Sequence, residues 1–180
     1  MKTLPLILSA VLAAAPALRA EDHKLSGENT TVKFTGSKKE GKHEGEFKKL
    51  DGTLSLNASD VSKSKLTVTI DINSMTTDAE KLTGHLKSPD FFNAKKFPEA
   101  KFVSKSITGD KDKGYTVTGD LTMLGKTHAV TFPAKTAVAD GTTTVTAQFP
   151  IKRSEWGMNY SLDKVNDEVQ LALEVKVKSK

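Results

Sequence analysis

The chain has 180 residues, no cysteine, and a formal charge of +5 from 27 basic and 22 acidic side chains. The missing cysteine excludes disulfides, thiolate chemistry, cysteine-held metal and a lipid anchor on a cleavage-site cysteine. Nucleic-acid sites draw on arginine forks and stacking aromatics over a basic face. Here the basic residues are almost all lysines scattered among acids, so nucleic acid is not expected as a partner, while contact with an acidic membrane surface stays open.

Residues 1–20 read as a secretory signal peptide. Lys2 supplies a positive start, Leu4 to Ala15 form an apolar run broken only by Pro5 and Ser9, and small residues follow, with Ala15-Pro16-Ala17 and Ala20 as candidate cleavage points. The run is shorter than the ~20 apolar residues that cross a bilayer. A cut after Ala20 removes Lys2 and Arg19 and leaves Arg153 as the only arginine. Residues 21–180 then form a single domain of 180 − 20 = 160 residues, expected to be periplasmic or secreted.

Past the leader the pattern is strand. Val32 and Phe34 share a face, Lys38 to Gly41 make a polar turn, and Gly45 to Leu56 form a second strand region with Phe47 inward. Asp51-Gly52 is expected to hold a bulge, since glycine inside a strand often marks one. Leu66, Val68, Ile70 and Ile72 alternate with polar residues, the signature of a half-buried strand.

The stretch from Leu82 to Phe102 breaks the pattern. It carries Phe91, Phe92, Phe97 and Phe102, half of the eight phenylalanines, together with Pro89 and Pro98. Asp78 to Lys87 is expected to be a short helix, ended because Pro89 disfavours helical geometry at Ser88. The segment reads as a helix-plus-loop plug between two runs of strands, with Phe91 and Phe92 buried by a turn after Pro89.

Strand sequence then resumes. Ala100 to Ile107 is followed by Tyr115, Val117, Gly119 and Leu121 on one face, then His128, Val130 and Phe132. Asp140-Gly141 is a hairpin signal. After it, Thr143, Val145, Ala147 and Phe149 face one way. Past the Arg153–Tyr160 loop, Val169, Leu171, Leu173, Val175 and Val177 alternate with Glu168, Gln170, Ala172, Glu174 and Lys176. The count is about eight strands, each with one apolar face, which fits an all-β sandwich or barrel.

No catalytic constellation appears. The chain contains no Gly-x-Ser-x-Gly elbow, P-loop or dinucleotide fingerprint. His23, His43, His85 and His128 are not at metal-ligand spacing, so neither a metal site nor a cofactor is expected. His128 has the parity of an apolar face and reads as a core or ligand-contacting histidine; His85 reads as a surface or helix-end residue. Asn29, Asn57 and Asn159 open Asn-x-Ser/Thr triplets, a weak signal in a threonine-rich chain. Arg153 has inward parity at the end of its strand. It pairs there with a carboxylate that fixes the Glu155-Trp156-Gly157 loop, or reaches the polar head of a ligand.

Three segments, in this order, resemble the YceI-like polyisoprenoid-binding family: His85-Leu-Lys-Ser-Pro-Asp-Phe-Phe-Asn-Ala-Lys-Lys-Phe-Pro98, Gly119-Asp-Leu-Thr-Met-Leu-Gly-Lys-Thr127 and Lys152-Arg-Ser-Glu-Trp-Gly-Met158. The resemblance runs from about Asp22 to Val177. It implies an antiparallel, lipocalin-like barrel with the plug between strands, holding a long isoprenoid or similar apolar lipid without catalysis. The lining set on this view is Phe34, Phe47, Leu66, Val68, Ile70, Phe102, Tyr115, Val117, Leu121, Val130, Phe132, Val145, Phe149, Leu171 and Leu173. Phe91 and Phe92 stand at the mouth with Arg153, Trp156 and His128. The other reading is a periplasmic stress-response barrel that acts through a protein partner, with any lipid incidental.

Overall fold

The computed structural model describes residues 20–57 and 59–178. The expected leader lies, Ala20 apart, outside the described residues. Eleven strands form one antiparallel sheet: β1 (Glu21–Ser26), β2 (Thr30–Lys38), β3 (Lys42–Phe47), β4 (Leu50–Leu56), β5 (Lys65–Asp71), β6 (Met75–Thr77), β7 (Glu99–Asp110), β8 (Gly114–Met123), β9 (Lys126–Ala139), β10 (Thr142–Lys152) and β11 (Val165–Lys178). Among the described residues, one α-helix, α1 (Glu80–Lys87), stands between β6 and β7.

The strand count exceeds the expected eight because three long strands are broken. β1 runs into β2 across Gly27 to Asn29, β3 into β4 across Lys48-Lys49, and β5 into β6 across Ile72 to Ser74. Both halves of each strand keep the same antiparallel neighbour: β1 pairs β4 and β2 pairs β3, while β4 pairs β5 and β3 pairs β6. Eleven segments less three breaks make eight continuous runs. Because β11 pairs β2, the circuit of hydrogen bonds closes on itself as a barrel.

The breaks are local chain bends. Phe47 pairs Met75, but Leu50 pairs Ile70, so the register moves by two residues at Lys48-Lys49. Lys48 N–H donates to Ser74 O at 3.3 Å and Asp71 N–H to Lys49 O at 3.0 Å, which bridges the irregularity. Extra residues of this kind bend a strand and raise its twist. The bulge expected at Asp51-Gly52 is therefore misplaced. Gly52 sits in regular register between Leu25 and Val68. A Cβ there would fall 2.3 Å from Thr67 O, so close strand approach is what requires glycine at that position.

Two apolar clusters make up the packed interior. One gathers Leu25, Leu54, Ile72, Met75, Met123, Trp156 and Met158, among others. The second comprises Ile107, Val117, Phe132, Ala134, Ala147 and Phe149, with Phe102, Tyr115 and Val130 against it. The Phe132 and Phe149 rings stack with centroids 4.2 Å apart, and Phe102 tilts onto Phe132 at 5.6 Å. Each such side chain contributes roughly 1.5–3 kcal/mol on burial. Helix α1 starts two residues later than expected and stops at Lys87. Ser88 is extended, with φ −73° and ψ 170°, as a residue before proline prefers.

Candidate functional site

Along β8 and β10 the packing changes from one end to the other. Val117 and Phe149 are locked in the second cluster, whereas Leu121, Met123 and Ile151, further toward the other end, border a cavity of about 300 Å³. That volume is at the lower end of small-molecule sites, roughly 300–1,000 Å³. Val32 and Phe34 of β2, Phe47 of β3, Ile70 of β5, Ala100 of β7, and Val165, Val169 and Leu171 of β11 complete the wall. Leu82, His85 and Leu86 of α1 roof it, with Phe91 and Phe92 from the turn that follows.

The roof is shaped by its backbone. Phe91 N–H and Asn93 N–H both donate to Ser88 O, at 3.1 and 2.8 Å, and Phe92 N–H to Leu86 O at 3.0 Å. This compact turn lets two adjacent phenylalanines face the same space, which an extended segment forbids. Phe92 meets Phe47 edge-on at 6.1 Å, and Phe47 leans on Phe34 at 5.5 Å. Phe34 in turn lies over Gly45, where a Cβ would come within 2.3 Å of its ring.

The mouth holds the polar groups. His85 meets Phe91 and Tyr160 edge-on at 5.1 and 4.9 Å, and Tyr160 tilts against Phe91 at 5.3 Å. His85 Nε2 lies 3.0 Å from Asp90 Oδ2, and His43 Nδ1 lies 3.0 Å from Asp78 Oδ1. Both histidines border the cavity, as do Ser37 and Lys38.

Arg153 is 3% exposed. It donates from Nη1 to Met158 O at 2.6 Å, from Nη2 to Val165 O at 3.0 Å and from Nε to Asn166 O at 3.1 Å. These bonds tie both ends of the Arg153–Val165 loop. The expected carboxylate pair is replaced by backbone carbonyls. Asp167, the nearby acid, instead accepts from Ser154 Oγ–H at 2.7 Å and Ser154 N–H at 2.8 Å. Burial pulls the Arg153 pKa below the usual guanidinium value, with Asp167 acting the other way. The guanidinium also sits 5.7 Å from the Phe91 ring centroid.

Of the residues singled out in the sequence, Phe34, Phe47, Ile70, Phe91, Phe92, Leu121, Arg153 and Leu171 meet at this cavity. The structure places the others in packed interior. Leu66 and Val68 belong with the first cluster, and Phe102, Tyr115, Val117, Val130, Phe132, Val145, Phe149 and Leu173 pack with the second. Trp156, 1% exposed, donates its indole N–H to Leu121 O at 3.0 Å, and His128 meets its ring edge-on at 5.3 Å. That pair props the wall behind the cavity. Parity with Phe34 and Leu171 points to Val32 and Val169, and the i, i+4 spacing on α1 to Leu82 and Leu86. Tyr160, on an irregular loop, carries no such signal.

The aliphatic and aromatic walls of the cavity suit an apolar ligand. Among the described residues, no group of His, Asp and Glu is placed to hold a metal ion. A general base needs a reacting group within hydrogen-bond reach. His85 instead faces the Phe91 and Tyr160 rings and Asp90.

Known proteins share this architecture. The family model described as a YceI-like domain matches residues 23–177. Protein YceI of Escherichia coli O157:H7 is 41% identical over 91 residues, which is 51% of this chain and 47% of that protein. The chain thus matches about half the length of such curated relatives. BcnA of Burkholderia cenocepacia superposes with a TM-score of 0.77 at 29% identity, over 83% of this chain and 96% of BcnA. A domain from Saccharophagus degradans, described as polyisoprenoid binding and implicated in plant cell wall breakdown, superposes with a TM-score of 0.64 over 90% of this chain and 100% of that domain. At 12% identity, it is a likeness of fold.

Proposed function

The chain belongs to the family of YceI-like domains, and from that premise we propose that it is an exported, non-catalytic carrier that holds a long isoprenoid-type chain inside its barrel. The observation that carries this reading is the cavity, walled by aliphatic side chains and roofed by Phe91 and Phe92. An apolar chain there exchanges water for hydrocarbon at roughly 0.8 kcal/mol per buried CH₂. Ordering the chain and losing its free translation offset much of that gain. The related fold described as polyisoprenoid binding supports the same ligand class. The leader pattern of residues 1–20 supports a periplasmic or secreted location.

The test is mass spectrometry of an organic extract from protein purified out of the exported fraction. A stoichiometric long-chain lipid is the expected result. Protein that carries none, and that takes up no apolar fluorescent probe after delipidation, refutes the carrier reading.

A further inference from the structure

Four connections cap the roofed end of the barrel. With the strand ends that flank them they span 38–42, 71–99, 123–126 and 152–165, and they carry eleven basic side chains against eight acidic ones. The connections at the opposite end, 56–65, 110–114 and 139–142, carry four of each. Part of the surplus is gathered in one place. Lys95, Lys96 and Lys126 are exposed, and among the described residues none of the three makes an ion pair. Phe97 stands among them and belongs to neither interior cluster. Its ring lies over Gly125, where a Cβ would come within 3.1 Å of it, and Lys96 Nζ is 5.2 Å from the ring centroid. Lys126 reaches from the same turn to Gly157, where a Cβ would fall 2.9 Å from its Nζ. Gly157 leads into the loop that bears Tyr160 and Leu162, each 44% exposed. Four large apolar side chains are exposed among the described residues; the other two, Val103 and Val138, stand singly on strands. Lys164 follows on the same loop, where Asp163 is the neighbouring acid, and Asp78 and Asp90 of the roof lie against His43 and His85.

We propose that this end of the barrel docks on a lipid bilayer with anionic headgroups. Tyr160 and Leu162 enter the headgroup layer, and Lys95, Lys96 and Lys126 meet its phosphates. Exposed apolar side chains beside lysines suit that boundary, where shallow apolar burial and attraction to anionic lipid add together. Tyr160 also borders the cavity, so docking brings the mouth to the membrane, and an apolar chain passes between them without crossing bulk water. That transfer step rests on the carrier reading; the docking itself stands apart from it.

The experiment floats delipidated protein with vesicles of phosphatidylcholine alone and of phosphatidylcholine with phosphatidylglycerol. The anionic vesicles should bind it about tenfold or more tightly, and added salt should weaken that binding severalfold. Leu162→Ser should lower it severalfold, and Lys95→Glu, Lys96→Glu and Lys126→Glu together about tenfold or more. None of these four residues lines the cavity, and all four are exposed. Circular dichroism and uptake of an apolar fluorescent probe in solution should therefore match the parent protein. Should the triple variant lose its fold, each single reversal should lower vesicle binding severalfold. Equal binding to both vesicle types, or binding to neither, overturns the docking and leaves the carrier reading standing. Binding that survives lysine reversal unchanged also overturns it. Leu162→Ser without effect overturns it too and, where polyglutamate displaces the vesicles, assigns the lysines to an acidic protein instead. Protein that docks as expected but takes up no probe supports the docking and refutes the carrier reading alone.

Discussion

At the scale of single residues, two side chains near the mouth serve the frame. Trp156 is the only tryptophan, and its indole N–H is the donor to Leu121 O on a strand that walls the cavity. Trp156→Phe keeps an aromatic ring but removes a buried hydrogen bond, which costs ~0.5–1.5 kcal/mol. Urea denaturation followed by far-ultraviolet circular dichroism should show that loss. Asp167 anchors the same loop from the other side. Burial opposes its ionisation, but the hydrogen bonds from Ser154, with the Arg153 and Lys152 charges, outweigh burial and hold its pKa below the usual carboxylate value. A carboxylate depressed in the folded state contributes stability above its unfolded pKa of about 3.9 and loses it as pH falls through the lower folded value. Stability should therefore drop below about pH 4, and Asp167→Asn should flatten that acid limb while lowering stability at neutral pH. An equally steep limb in the variant would remove Asp167 from the account.

At the scale of elements, strand alternation is legible in the sequence because its physical cause is local. The faces carrying Val117 and Leu121, Ala147 and Phe149, and Val175 and Val177 are buried as their parity requires. Alternation separates inward from outward; it does not tell which end of an inward face is left empty. Val68 and Leu171 look equivalent in sequence, yet Val68 is packed in the first cluster and Leu171 borders the cavity. The difference arises from the roof, since α1 and the Phe91-Phe92 turn cover a space that they do not fill. The mouth is equally hidden, because His85 on α1 meets Tyr160, which stands on a loop that carries no periodicity. Val68→Asp buries a charge without a partner and should unfold the barrel. Leu171→Asp places its carboxylate against a cavity that water can enter, so it should expel the apolar chain while the fold persists. Circular dichroism beside extractable lipid distinguishes the two, and identical behaviour of both variants would mean that the cavity does not function as a separate compartment.

At the scale of the whole molecule, the barrel divides its labour along its length. Phe102, Phe132 and Phe149 close one end with stacked and tilted rings, and without a disulfide this packed end must hold the sheet together. The other end is left unfilled, so part of the stability that a solid core supplies depends on what occupies the cavity. A ligand that binds only the folded state stabilises it by RT ln(1 + [L]/Kd), ~2.7 kcal/mol at a hundredfold excess over Kd. For a domain of this size each kcal/mol moves the melting temperature by about 2–4 °C. Loaded protein should then melt about 5–10 °C above delipidated protein, with the shift growing as the logarithm of ligand concentration. The sheet should hold in both states, because none of the buried members of the second cluster lines the cavity and its ring stack needs no ligand. Calorimetry across a ligand titration measures the shift directly. A melting temperature that ignores ligand, in protein shown to bind it, would mean that the unfolded chain binds the lipid as well as the barrel does, and the cavity would lose its role as the site.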